Sequence, residues 1–132
     1  MSLIRDFNLE DAHAHDDARV GRALGPLLEG DDVGQVWVLS VDGDLVGYCV
    51  LTWGYSLEAG GRECVLDEIY VRPSSRGLGG VLLETSLDAA RRAGVNVAFL
   101  ETEAHNERVR AFYLRHEFSL EDSIWMRRVL VG

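Results

Sequence analysis

The stretch that most constrains this chain is VLDEIYVRPSSRGLGGVLLETSLDAARRAGVNVAFLE, residues 65–101. A β-rich apolar run stops at Pro73, and two serines, Arg76 and three glycines follow. The pattern then changes to helical spacing. Leu83, Leu87 and Ala90 share one face, with Leu82, Ser86, Ala89 and Ala93 beside them. Gly94 is a natural helix stop, and a second strand follows over residues 95–101. Strand, helix, strand across one connection is a βαβ unit, so its two strands run parallel. A parallel pair requires a sheet covered by helices, which makes the chain an α/β protein.

The residues before this unit read as an antiparallel meander. Residues 35–41 (QVWVLSV) form a strand, D-G-D a hairpin turn, residues 45–55 the returning strand and E-A-G-G-R a second turn into residues 63–71. A short strand is expected over residues 3–7. Helical spacing follows over residues 9–28, interrupted by Gly21, Gly25 and Pro26, which predicts two short helices. After the crossover, Val109, Phe112, Tyr113 and His116 recur at i, i+3, i+4 and i+7, predicting a helix over residues 106–116. Residues 124–131 read as a last strand. The order is β-α-α-β-β-β-α-β-α-β on a mixed central sheet. At 132 residues this is one domain, 1–132.

Charge and cysteine usage bound the function. A net charge of −9 opposes nucleic acid and anionic membranes and favours cationic ligands. No segment reaches the ~18 apolar residues of a membrane span. The opening MSLIRDFNLEDAHAHDD lacks the layout of a signal peptide, which points to the cytoplasm. Cys49 and Cys64 lie inside apolar strands without metal spacing and read as buried free thiols. In H-A-H-D-D, His13 and His15 point different ways on a helix while His13 and Asp17 share a face; the stretch reads as a solvated surface, and no metal is expected.

The glycine-rich turn is where a phosphate would sit. Unpaired N–H groups at such a turn and at the following helix start bind an anion without side chains, and glycine lets the chain approach it closely. The Walker pattern is excluded because no lysine follows. Gly77 and Gly79 fit the first half of a dinucleotide fingerprint, but position 82 is leucine and the second βαβ half is missing.

Farther on comes ETEAHNERVRAFYLRHEF. Together, Arg76-Gly77-Leu78-Gly79 on the first turn and Asn106, Tyr113 and Phe118 at their spacing resemble the GNAT superfamily of acyl-CoA N-acetyltransferases, whose element order matches along the whole chain. Two departures stand out. Glu117 occupies the family's glycine after the second motif, which predicts a different helix end. Matching the helix by its apolar face, with Val81, Leu82, Leu83, Leu87 and Ala90 buried, leaves the phosphate turn two residues short of the family's.

The resemblance implies acetyl-CoA as cosubstrate. The backbone of Ile69, Tyr70 and Val71 would pair with the pantetheine arm, and Arg76, Gly77, Leu78, Gly79 and Gly80 would hold the pyrophosphate. Asn106 would lie near the coenzyme arm or cap its helix, and Tyr113 would protonate the leaving thiolate. The base is Asp67, Glu68 or a water chain in their place; simple alternation puts the two carboxylates on opposite faces, Asp67 with Val65, Ile69 and Val71, Glu68 with Leu66 and Tyr70, and Glu68 is preferred. The resemblance also implies a homodimer and a small-molecule or peptide amine as acceptor. The turn at Gly61-Arg62 and the acidic strand after it are similar to polyamine and thialysine acetyltransferases, which, with the acidic charge, suggests a small cationic amine. The alternative is a degenerate member, without catalysis, that serves as a CoA-binding or protein-interaction module.

Overall fold

A computed structural model describes residues 17–131. The expected strand at residues 3–7, His13 and His15 lie outside the described residues. The chain divides into two compact units, Met1–Glu101 and Thr102–Gly132.

In the first unit, helix α1 (Asp17–Glu29) leads into strands β1 (Gly34–Val41), β2 (Asp44–Ser56) and β3 (Gly61–Val71). A 3-10 turn (Pro73–Leu78) then enters helix α2 (Gly79–Arg92), which returns to strand β4 (Val97–Phe99). The sheet order is β1-β2-β3-β4, antiparallel for the first two pairs and parallel for β3 with β4. The mixed sheet and the crossover are as the sequence predicts.

The meander follows from its turns. Asp42 and Gly43 both have positive φ (51° and 86°). That is the two-residue turn whose twist matches the strands it joins. Gly47 has a packing role, because a Cβ there would stand 2.8 Å from the Tyr70 carbonyl oxygen. Its absence lets β2 lie tight against β3.

The sheet's two faces have different covers. Val36, Tyr48, Val50 and Tyr70 form one face, and Val20, Leu24 and Leu27 of α1 pack on it. Cys49 and Leu51 alternate with these residues, so they face the other way. There α2 packs against β2 and β3 and buries Leu82, Leu83, Ser86, Ala89 and Ala90. Both cysteines are free and buried. Burial pushes each thiol from 9.0 up to about 11; at Cys49 a hydrogen bond with Ser86 opposes the shift and the nearby Cys64 adds to it. Among the described residues, no helix is long and apolar enough to cross a membrane.

Four expectations need correction. The break predicted at Gly21, Gly25 and Pro26 does not occur, since α1 runs unbroken through all three. Gly21 and Pro26 lie on its exposed side. A proline inside a helix costs about 3 kcal/mol, and side chains such as Val20, Leu24 and Leu27 return up to ~1.5–3 kcal/mol each when fully buried. Val81, expected in the core, is exposed, because the buried face of α2 begins one residue later at Leu82. β4 is three residues long rather than seven. Residues 124–131 form no strand, for they pair with no neighbour among the described residues.

The second unit holds helix α3 (Glu107–Arg115). Asn106 is its N-cap, with its Oδ1 accepting the Val109 N–H at 3.2 Å. The predicted departure at the other end does not occur. Glu117 takes φ 67°, the left-handed conformation in which glycine is usually found. The Phe118 N–H reaches back to the Tyr113 carbonyl oxygen at 3.1 Å, closing the cap as a glycine there would. The Phe118 ring meets the Tyr113 ring edge-on at 5.6 Å, the apolar contact that accompanies this cap.

Candidate active site

The site in the first unit is built around an irregularity in β3. Val50 pairs with Glu68, but its neighbour Leu51 pairs with Leu66. Asp67 is therefore the extra residue of a β-bulge. A bulge re-aims side chains and bends its strand. Here it reverses the alternation, which corrects the assignment of faces made from the sequence. Leu66 lies with Leu51 on the α2 face, and Glu68 lies with Val50 and Tyr70 on the α1 face. Asp67 is exposed; Glu68 is half-buried. The buried Tyr48 hydroxyl donates a 2.7 Å hydrogen bond to Glu68 Oε1. Tyr48 and Tyr70 lie side by side, with ring centroids 6.2 Å apart. Glu68 is thus a carboxylate fixed by a tyrosine on an otherwise apolar face, as a proton acceptor needs.

The bulge coincides with the end of strand pairing. β4 pairs only with Glu63, Cys64 and Val65. From Leu66 to Val71, no strand lies against that edge of β3 among the described residues. The backbone of Ile69, Tyr70 and Val71 therefore borders an open edge of the kind that accepts an extended ligand.

This edge leads into the glycine turn. Arg76 donates from Nε to the Val71 carbonyl oxygen at 2.7 Å, and its guanidinium lies 5.8 Å from the Tyr70 ring centroid. That bond ties the turn to the end of the strand. Leu78 precedes α2 without a side-chain cap, and the first turn of α2 carries no acid. Gly79 is already helical, at φ −59°. Gly77 and Gly79 are absent from the positive-φ glycines, so turn geometry does not demand them. A Cβ at Gly77 would meet nothing within 4 Å. The Gly79 N–H is already donated to the Arg76 carbonyl oxygen, so what suits an anion here is the open space at Gly77, the positive end of the helix dipole and a first turn with no acidic side chain to oppose a ligand.

In the second unit, Tyr113 is buried between Phe112 and Phe118, with ring centroids 5.2 and 5.6 Å away. Of the two places offered for Asn106, the structure shows the cap. The structure thus brings Glu68, Tyr70, Val71 and Arg76 together in one unit and sets Asn106 and Tyr113 in the other.

Sequence reasoning missed Tyr48, the bulge and a cleft between α1 and β1. The cleft encloses about 320 Å³ and includes Leu27, Asp31, Gln35 and Trp37 in its lining. Trp37 Nε1 donates to Gln35 Oε1 at 3.0 Å, and Gln35 Nε2 donates to Asp31 Oδ2 at 2.9 Å. Trp53 Nε1 donates to the Asp31 carbonyl oxygen at 2.7 Å, and Arg62 stands 5.5 Å from the Trp53 ring centroid. The sequence signal for the bulge was an acidic pair inside an apolar strand; Tyr48 and the cleft gave none.

Comparison with known proteins agrees with this geometry. The family model described as Acetyltransferase (GNAT) family matches residues 2–118. An integron cassette protein from the mobile metagenome of Cole Harbour Salt Marsh has 30% identity and a TM-score of 0.87, over 99% of this chain and 82% of its own. A candidate acetyltransferase from Arthrobacter sp. FB24 has 27% identity and a TM-score of 0.82, over 98% and 86%. An aminoglycoside acetyltransferase from an uncultured soil metagenomic sample, in complex with sisomicin, has 13% identity and a TM-score of 0.74, over 98% and 86%, and shares the fold. No curated protein matches the chain in sequence.

Proposed function

This chain belongs to the acetyltransferase (GNAT) family, and we propose that it transfers an acetyl group from acetyl-CoA to a primary amine by direct attack within a ternary complex. One observation carries this reading. Past the bulge, no strand among the described residues lies along the outer edge of β3, and that edge leads into a turn with open space at Gly77.

The residues take these parts. The backbone N–H and C=O groups at Ile69, Tyr70 and Val71 pair with the pantetheine arm, and one N–H polarises the acetyl carbonyl, where negative charge develops. Gly77, Leu78, Gly79, Gly80 and the start of α2 receive the pyrophosphate. Arg76 fixes that turn to Val71 and adds positive charge beside it. Glu68, oriented by Tyr48, takes a proton from the attacking amine. As the N–C bond forms and the C–S bond breaks, Tyr113 gives its phenolic proton to the thiolate. Asn106 supports this by capping the helix that carries Tyr113. Asp67 supplies the bulge rather than the base.

The acceptor in this reading is a small cationic amine. The net charge of −9 draws such a ligand, and the cleft lined by Asp31, Gln35 and Trp37 offers it a carboxylate beside an aromatic ring. The same fold holds an aminoglycoside acetyltransferase in complex with sisomicin. The enzyme works as a homodimer in the cytoplasm, a reducing compartment in keeping with its free cysteines.

The test is an acetyl-CoA-dependent acetylation assay across diamines, polyamines, aminoglycosides and peptides with free N-termini. Glu68→Gln, which keeps the shape and an acceptor for Tyr48, is expected to lower kcat by about 10²–10⁴-fold. Full activity in that variant would remove Glu68 from the mechanism.

A further inference from the structure

Two carboxylates in the first unit suit an amine, Glu68 on β3 and Asp31 in the cleft beside α1, and they stand too far apart to hold one nitrogen. Val36 of the cleft lining pairs with Val50, and Val50 pairs with Glu68. The three residues form one row across β1, β2 and β3. Neighbouring strands lie about 4.8 Å apart, so two steps put roughly 10 Å between the backbone at Val36 and at Glu68. Along the strands the two acids also diverge. The Glu68 carboxylate is held by Tyr48, on one side of Val50. Asp31 precedes Gly34, which pairs with Thr52 on the other side of Val50. A hydrogen bond from an ammonium reaches only about 3 Å.

The Asp31 carboxylate is a fixed group. The indole Nε1 of Trp37 can only donate, so it turns the carbonyl oxygen of Gln35 towards itself, at 3.0 Å. That leaves the Gln35 Nε2 to donate to Asp31 Oδ2 at 2.9 Å. Trp53 Nε1 holds the Asp31 carbonyl oxygen at 2.7 Å, so backbone and side chain are both anchored. Among the described residues no donor takes the other carboxylate oxygen, Oδ1. An ionised carboxylate only accepts, and a cation is its strongest donor. Leu27, Val36 and Trp37 give the cleft apolar walls. One carboxylate among apolar walls suits an alkylammonium, whose methylenes they cover, and does not suit a hard metal ion, which needs several oxygen ligands.

We infer that the acceptor is a long α,ω-diamine, with one ammonium seated on Asp31 in the cleft while the other nitrogen, at Glu68, loses its proton and is acetylated. This rests on the proposed acetyl transfer and adds to it a second charge and a length. The two nitrogens must be on the order of 10 Å apart, which is roughly eight methylenes in an extended zigzag of ~1.5 Å bonds. Asp31 is then the residue that sets specificity, and it moves no proton.

Two measurements on the full chain test it. The first compares diamines from diaminopropane to diaminodecane with n-alkylamines of the same lengths, at saturating acetyl-CoA. The kcat/KM of diaminooctane is expected to exceed that of octylamine by about tenfold or more, and diaminopropane, too short to span, is expected to show no such advantage. Asp31→Asn keeps an acceptor for Gln35. It is expected to raise KM for diaminooctane about tenfold or more without a matching fall in kcat, the mark of a lost binding contact. The second titrates diaminooctane into ¹⁵N-labelled protein without acetyl-CoA and follows the Trp37 indole N–H. A saturable shift is expected in the parent and its loss in Asp31→Asn. An indole signal that does not move, or that moves equally in both proteins, overturns the inference. So does octylamine used as well as diaminooctane, or a diamine preference that survives Asp31→Asn; in these cases the acetyl transfer itself stands. No transfer to any amine overturns the catalytic reading and the inference with it.

Discussion

Replacing Glu117 with glycine is expected to stabilise the protein. Glu117 holds φ 67° after α3, and a side chain in the left-handed region costs about 1–2 kcal/mol. Glycine removes that cost but loses more conformational freedom on folding, about 0.5–1 kcal/mol. Glu117 also places a negative charge beside the negative end of the helix dipole, worth roughly 0.3–1 kcal/mol at an exposed site. The balance favours Glu117→Gly by about 1 kcal/mol. For a chain of this size that raises Tm by about 4 °C. Thermal and urea unfolding measure it, with Glu117→Ala as the control. Alanine removes the charge but keeps the Cβ, so it is expected to regain only the dipole part. If Glu117→Gly is no more stable than the parent, the left-handed cap is not the strained position described, and the Phe118–Tyr113 closure has to be reconsidered.

Three further outcomes follow from the site and the core. Tyr48→Phe removes the hydrogen bond that favours the ionised form of Glu68; the acidic limb of the pH–kcat/KM profile is expected to move to higher pH, and an unmoved limb would exclude Glu68 as the group that titrates there. The folded protein is expected to resist thiol reagents at pH 8, because burial pushes Cys49 and Cys64 up to about 11; rapid modification of either would contradict their burial. These raised values also set a direction for stability. The folded state holds the thiol protons more tightly, so this stabilisation is full below about pH 9 and is lost as pH rises towards about 11, which urea unfolding across that range would detect.

Much of the fold was legible because local chemistry and pattern agreed. D-G-D fixed the first hairpin, Gly94 ended α2, and the leucine spacing of α2 identified its buried face, apart from Val81. The failures share a cause, in that tertiary context overrode local preference. Pro26 and Gly21 lie inside α1 because packing at Val20, Leu24 and Leu27 holds the helix together. Glu117 adopts a glycine's conformation because the aromatic contact and backbone bonds of the cap hold it there. The bulge was hidden because period-two alternation assumes an unbroken register, whereas Asp67 has no partner on β2. The preference for Glu68 over Asp67 was made with the wrong face assignment. The hydrogen bond from Tyr48, 20 residues away in sequence, now supports it. Residues 124–131 carry the composition of a strand without a partner in the described chain, and composition alone cannot supply one.

The central claim is that the open edge of β3 and the turn at Gly77 hold acetyl-CoA. Calorimetric titration of the protein with acetyl-CoA, beside the Gly77→Val variant, tests it most directly. A Cβ at Gly77 meets nothing within 4 Å in the protein, so the variant is expected to keep its fold and thermal stability. The account predicts saturable binding with a Kd in the micromolar range for the parent and a loss of at least tenfold in the variant. Absence of binding by the folded parent, or equal binding by both proteins, would contradict it.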